Sequence, residues 1–267
     1  MTDLVTIDRH GAVADVRLNR PEKYNALSPD MFKAIVAAGE QLASAKELRA
    51  VVLSGSGRGF CAGLDMASFQ MMAEPGDQGS ASSLLDANAG PANNAQRPAY
   101  IWKQLPVPVI AAIHGVAYGG GCQIALGADI RFAAPDAKMS VMEIKWGLVP
   151  DMSLTQTLRD LVPMDVAKEL TFTGRVLNGL EAKELGLVTH VTDDPLAAAL
   201  ELAQEIAGKS PSAVRAGKRL LEESWHAEPD VGLGLEASLQ KGLIGAPNQI
   251  EAVTANFENR PANFTDD

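Results

Sequence analysis

Val109-Ile110-Ala111-Ala112-Ile113-His114-Gly115-Val116-Ala117-Tyr118-Gly119-Gly120-Gly121-Cys122-Gln123 starts as an apolar, strand-like run, passes through a triple glycine and continues into a helical pattern. About fifty residues earlier, Val51-Val52-Leu53-Ser54-Gly55-Ser56-Gly57-Arg58-Gly59-Phe60-Cys61-Ala62-Gly63-Leu64-Asp65 does much the same: an apolar run feeds a glycine-bearing loop. Two such turns can aim free backbone N–H groups at one point, which suits a chemistry that builds negative charge on a carbonyl oxygen. A helix starting at the triple glycine adds its positive dipole end to the second donor. The pair predicts an oxyanion-stabilising enzyme.

Other glycine-loop chemistries fail on detail. Gly55-Ser56-Gly57-Arg58-Gly59 lacks the G-x-G-x-x-G spacing of a dinucleotide fold, and no G-K-[ST] follows any glycine run. No G-x-S-x-G elbow occurs, which disfavours a serine hydrolase. The chain has 267 residues and a formal net charge of −10, which argues against nucleic acid or an anionic membrane surface as the main partner. Cys61 and Cys122 are the only cysteines and lack CxxC spacing, so neither a disulfide framework nor a zinc site is indicated. They read as small buried fillers, and His114 as a hydrogen-bonded turn histidine. No basic-then-apolar leader and no run of eighteen apolar residues is present, so the expectation is a cytoplasmic protein without membrane insertion.

Strand and helix patterns alternate at short spacing, which favours an α/β or mixed layered fold. Ala12 to Leu18 alternates as a strand. Ser28-Pro29 reads as an N-cap and first helical position, leading a run through Met31, Phe32, Ile35 and Leu42. Short strands are expected at Val51–Leu53, Val109–Ile113 and Ile130–Ala133, and a helix from Cys122 to Leu126. Glu74 to Gln96 is rich in Ala, Gly, Ser, Asn and Asp with little periodicity, and reads as a mobile lid or partly ordered loop. Beyond Asp194-Pro195 the pattern turns helical, dividing the chain into residues 1–194 and a helical region over 195–267.

Five segments carry a family resemblance. They are Leu18-Asn19-Arg20-Pro21-Glu22-Lys23-Tyr24-Asn25-Ala26-Leu27, Gly59 to Met66, Ile113 to Asp129, Met142-Glu143-Ile144-Lys145-Trp146-Gly147-Leu148-Val149-Pro150-Asp151, and Asn256 to Pro261. In this order the chain resembles the crotonase superfamily, the enoyl-CoA hydratase/isomerase proteins. The resemblance implies a spiral of ββα turns over residues 1–194 that binds acyl-CoA and carries catalysis. It also implies that residues 195–267 form a helical region driving a trimer or a dimer of trimers. An acyl-CoA thioester is the implied substrate, with coenzyme A entering as part of it, and no separate cofactor or metal. The implied oxyanion donors are the N–H groups of Leu64 and Gly120. The implied acyl-CoA contacts are Lys23, Ala26, Ala62, Leu64, Asp65, Met66, Gly120 and Gln123. Where the family often has a lysine for a CoA phosphate this chain has Asn259, so that contact moves to Arg260 or is absent.

Hydratases of this family use two glutamates. Here the second is Glu143, but the first is Gln123, which can orient a water yet cannot usefully carry a proton near neutral pH. Another acid, Asp151, follows Glu143 by eight residues, the spacing found in the family's dienoyl-type isomerases, a partial match because those usually also have an acid where this chain has Gln123. The catalytic candidates are therefore Glu143, as main base and acid, and Asp151, as second proton carrier or orienting group. Asp151 also reads as a cap for the next helix. Double-bond isomerisation through an enolate leads. Hydration by Glu143 with a water held by Gln123 stays open, as does a non-catalytic acyl-CoA-binding relative.

Overall fold

The computed structural model describes residues 3–73, 85 and 90–266. Its main sheet has six strands in the order β1-β2-β3-β4-β6-β8: β1 (Val5–His10), β2 (Val13–Leu18), β3 (Ala50–Gly55), β4 (Val109–Ile113), β6 (Ile130–Ala133) and β8 (His190–Val191). The β1/β2 pair is antiparallel and every other pairing is parallel. A smaller parallel ladder joins β5 (Val116–Tyr118) to β7 (Lys138–Ser140), and single bridges extend it at Cys61↔Ala117 and Met139↔Leu177.

Three main-sheet strands, β3, β4 and β6, hand the chain to this second ladder and then to a helical turn, which is the spiral of ββα units the resemblance implied. After β3 the chain bridges at Cys61 and enters α2 (Met66–Ala73). After β4 it forms β5 and enters α4 (Gly120–Leu126). After β6 it forms β7 and a 3-10 turn, Glu143–Trp146.

The central strands are buried on both faces, as parallel strands between helices must be. Along β3, Val51 and Leu53 join the large core with α1 (Pro29–Ala43), while Ala50 and Val52 point to a second cluster. There they meet Ala199, Ala203 and Ala207, spaced four apart along one face of α8 (Pro195–Ala207). These small side chains let the helix lie close against the strands.

The helix starts were written in local chemistry. Ser28 accepts from Met31 N–H with Pro29 in the first turn, Asp194 caps α8, and Ser210 caps α9 (Pro211–Ser224). Each cap is worth about 1 kcal/mol. Two more helices, α10 (Pro229–Leu243) and α11 (Pro247–Glu258), complete the C-terminal part.

Most of the segment expected as a lid, 74–84 and 86–89, lies outside the described residues. From residue 90 onward the segment is held in place, as the ordered part of a partly ordered loop would be. Ala92 and Ala95 are buried, and Asn93 and Gln96 each accept the other's backbone N–H at 2.9 Å, bracing the start of α3 (Arg97–Gln104). Among the described residues no helix is long and apolar enough to cross a membrane.

Candidate active site

The two glycine loops meet. Phe60 N–H donates to His114 O, Cys61 N–H to Val116 O, and Tyr118 N–H back to Cys61 O, at 2.9 to 3.0 Å. The approach leaves no room for side chains: a Cβ on Gly121 would stand 2.4 Å from Cys61 O, and one on Gly63 2.6 Å from Tyr118 O. Gly63 and Gly119 also hold positive φ, +85° and +51°, which explains why glycine occupies both turns.

Asn25 clasps the first loop from outside. Fully buried, it donates from Nδ2 to Ser56 O, Gly59 O and Phe60 O, and its Oδ1 accepts Arg20 N–H at 2.8 Å. Arg20 in turn reaches Ala26 O and pairs with Asp65. His114 bonds Gly57 O at 2.9 Å, the turn role expected of it.

Between the loops and the 3-10 turn lies a cavity of about 460 Å³. Its walls include Lys23, Ala26, Ala62, Leu64, Asp65, Met66 and Gly120, together with Glu143 and Asp151. Among the described residues neither Leu64 N–H nor Gly120 N–H donates to a protein acceptor. Gly120 opens α4, so its N–H has no carbonyl one turn back to bond. Much of the remaining wall is apolar: Leu27, Phe32, Met72, Leu85, Met142, Leu148 and Met152. Phe69 of α2 stacks on Trp146 with ring centroids 4.2 Å apart, closing part of the wall.

The 3-10 turn that carries Glu143 ends at Gly147, whose φ of +70° lets Leu148 N–H bond back to Glu143 O. Burial pushes the Glu143 carboxyl up from its ordinary range; its own backbone and the Gln123 amide offset part of this, and the negative charge of Asp151 adds to it. Asp151 lines the cavity while staying open to solvent on its outer side. It too is raised, chiefly by desolvation. It does not cap the following helix: α5 (Leu154–Thr157) starts after Ser153, which takes the N-cap position in a left-handed conformation at φ 64°.

Gln123 is placed differently from the expectation. It is fully buried and absent from the cavity wall, so it does not reach the space a substrate or a water would occupy. Both ends of its amide are engaged instead, with Nε2 donating to Glu143 Oε1 at 2.7 Å and Oε1 accepting Met152 N–H at 2.9 Å. No sequence signal announces this pair, since residues twenty apart on different elements share no periodicity. Asn25 and Arg20 stood inside a motif but without a role, because a buried amide clasp has no spacing signature.

The remaining candidates settle quietly. Cys61 and Cys122 are buried, and desolvation pushes both thiols up to about 12, which removes them as nucleophiles. Arg260 is held by Glu251 through both terminal nitrogens and by Glu258 through Nε, so within one chain it is not a free phosphate ligand. Among the described residues no cluster of three or more His, Cys, Asp or Glu could hold a metal ion.

Residues 8–267 match a family model described as enoyl-CoA hydratase/isomerase. An enoyl-CoA hydratase of Mycobacterium tuberculosis is 34% identical over 265 residues, covering 95% of this chain and 96% of the relative. A peroxisomal Delta(3,5)-Delta(2,4)-dienoyl-CoA isomerase of Arabidopsis thaliana is 31% identical over 269 residues, covering 98% and 96%. The crystal structure of an enoyl-CoA hydratase from Bacillus anthracis superposes with a TM-score of 0.89 at 30% identity, covering 99% of this chain and 100% of that one.

Proposed function

The chain belongs to the enoyl-CoA hydratase/isomerase family, and from that premise we propose that it moves a carbon–carbon double bond within an enoyl-CoA thioester. The observation that carries this reading is the carboxyl pair: Glu143 and Asp151 border one cavity, and Gln123, where a hydratase of this family keeps its other acid, cannot give up or take a proton near neutral pH.

The thioester oxygen sits between Leu64 N–H and Gly120 N–H. Glu143 takes a proton from the carbon α or γ to the carbonyl, and the electron pair moves onto that oxygen as a dienolate. The pair then returns to form the double bond one position along, and the other carbon receives a proton. Water is neither consumed nor released. Each N–H donor is worth about 3 kcal/mol in the transition state. Burial raises both carboxyls, and the charge of Asp151 adds to the rise at Glu143, which is the direction a proton-shuttling acid needs. Asp151 is the second proton carrier. Coenzyme A arrives with the substrate past Lys23, Ala26, Ala62, Asp65 and Met66, and the reaction calls for no separate cofactor.

Hydration is the second reading, favoured by the hydratase relative of similar length. Incubation with trans-2-enoyl-, 3-enoyl- and dienoyl-CoA in heavy-oxygen water separates the two. Isomerisation leaves the product mass unchanged; a labelled 3-hydroxy product puts hydration first, and binding without turnover overturns both. We also propose a homotrimer or dimer of trimers, supported by the large apolar side chains that the C-terminal helices leave exposed, Trp225, Leu233 and Phe257 among them. Light scattering would then report at least three times the chain mass of 28.1 kDa.

A further inference from the structure

Because Gln123 is sealed away from the cavity, whatever it does must run through its neighbours. Its two bonds fix its orientation. Met152 N–H is a backbone donor and can only donate, so the amide oxygen must face it. The amide NH2 is thereby turned to Glu143 Oε1, 2.7 Å away. Glu143 Oε2 is shut off from solvent and has no protein partner.

We propose that Gln123 is a positioning residue: it relays the direction of the Met152 N–H to Glu143 Oε1, fixing the rotamer of that carboxyl and stabilising its ionised form. The inference rests on the reading of Glu143 as the proton carrier. An N–H pointed at Oε1 is a stronger hydrogen bond to the carboxylate than to the neutral acid, so the clamp favours the ionised form. The clamp also holds the Glu143 side chain in one rotamer. A glutamate at 123 has nearly the same shape but the wrong protons. With one oxygen on Met152 N–H, its other oxygen would face Glu143 Oε1 at hydrogen-bond distance, and the two carboxyls would have to share a proton.

The other titratable groups around Glu143 are few. Asp151 faces it from the loop before α5, and the Cys122 thiol from α4, pushed up to about 12 and so neutral. The helix α6 (Met164–Thr173), which also packs on this turn, brings Asp165, Lys168 and Glu169, the last bonded to Arg175.

Carbon-13 NMR of the full chain labelled at the glutamate carboxyls tests this directly, with the Glu143 resonance assigned by its loss in Glu143→Gln. In Gln123→Met the carboxyl loses its donor. Glu143 then titrates at higher pH than in wild type, and kcat falls about ten- to a hundredfold with KM unchanged. Gln123→Glu keeps an acceptor for Met152 N–H, so it decides the matter if Gln123→Met does not fold. There Glu143 titrates in two coupled steps in place of one. Wild-type titration of Glu143 in a folded Gln123→Met, or one uncoupled step in Gln123→Glu, overturns the proposal. The NMR readout needs no turnover. A wild-type chain that hydrates, or does not turn over, therefore counts against the proposed reaction and leaves the clamp standing.

Discussion

Gly63→Ala places a methyl group at the point where the two loops touch. An ideal Cβ there stands 2.6 Å from Tyr118 O and 3.3 Å from the Tyr118 carbonyl carbon, both backbone atoms that cannot swing aside. Ordinary contact begins near 3.4 Å, so the loops must part by about 0.8 Å. The glycine also holds φ at +85°, and an L-residue there adds about 1–2 kcal/mol of strain. The same Cβ lies 3.7 Å from Gly120 N, so the displacement falls on the very groups expected to flank the thioester oxygen. Misplacing one donor is equivalent to losing about 3 kcal/mol, a drop in kcat of roughly two to three orders of magnitude. Steady-state kinetics on an enoyl-CoA thioester reads this, with circular dichroism to show that the variant is folded. Gly11→Ala is the control: it carries positive φ, +64°, with nothing within 4 Å of the added methyl and no part in the site. It should lose stability and keep kcat. A folded Gly63→Ala turning over within about threefold of wild type, far short of that loss, would refute the argument.

Asn25→Ala removes the buried clasp, leaving Arg20 N–H and three loop carbonyls short of a partner; chemical denaturation should show a loss on the order of 3 kcal/mol or more. Ser153→Gly should stabilise by about 1 kcal/mol, a rise in Tm of roughly 2–4 °C, because Ser153 sits at φ 64° with a buried hydroxyl lacking a partner. Glu143→Gln should melt above wild type at pH 8 and together with it at pH 4. A carboxyl raised on folding favours the native state below its unfolded pKa, and that advantage is lost as pH rises through the folded value, so a neutral amide is spared the cost only at the higher pH. Parallel melts at the two pH values check the sign.

What the sequence disclosed followed the reach of its signals. Caps are local, so Ser28 with Pro29 marked the start of its helix to the residue. Val109–Ile113 was legible because a strand buried on both faces is a continuous apolar run. The edge strand β1 went unnoticed: Val5 and Ile7 alternate with polar residues, but half of the strand is exposed and the pattern stays thin. In the site, the glycine loops announced themselves because only glycine fits their approach. The fate of Gln123 did not. Its amide is spent on a carboxylate twenty residues away and on a backbone N–H further still, a meeting set by how α4, the 3-10 turn and the Met152 loop pack. Asp151 could have been a cap by residue type, and only the left-handed turn at Ser153 takes that option away.

The central claim is that Glu143 lifts a proton from carbon while two backbone N–H groups hold the resulting dienolate. Proton exchange in deuterium oxide measures that step alone. Wild-type protein should wash deuterium into the α or γ position of an enoyl-CoA and pass it to the isomerised product. Glu143→Gln should bind the thioester and lose exchange by about a hundredfold or more. Exchange at the wild-type rate in Glu143→Gln would contradict the account.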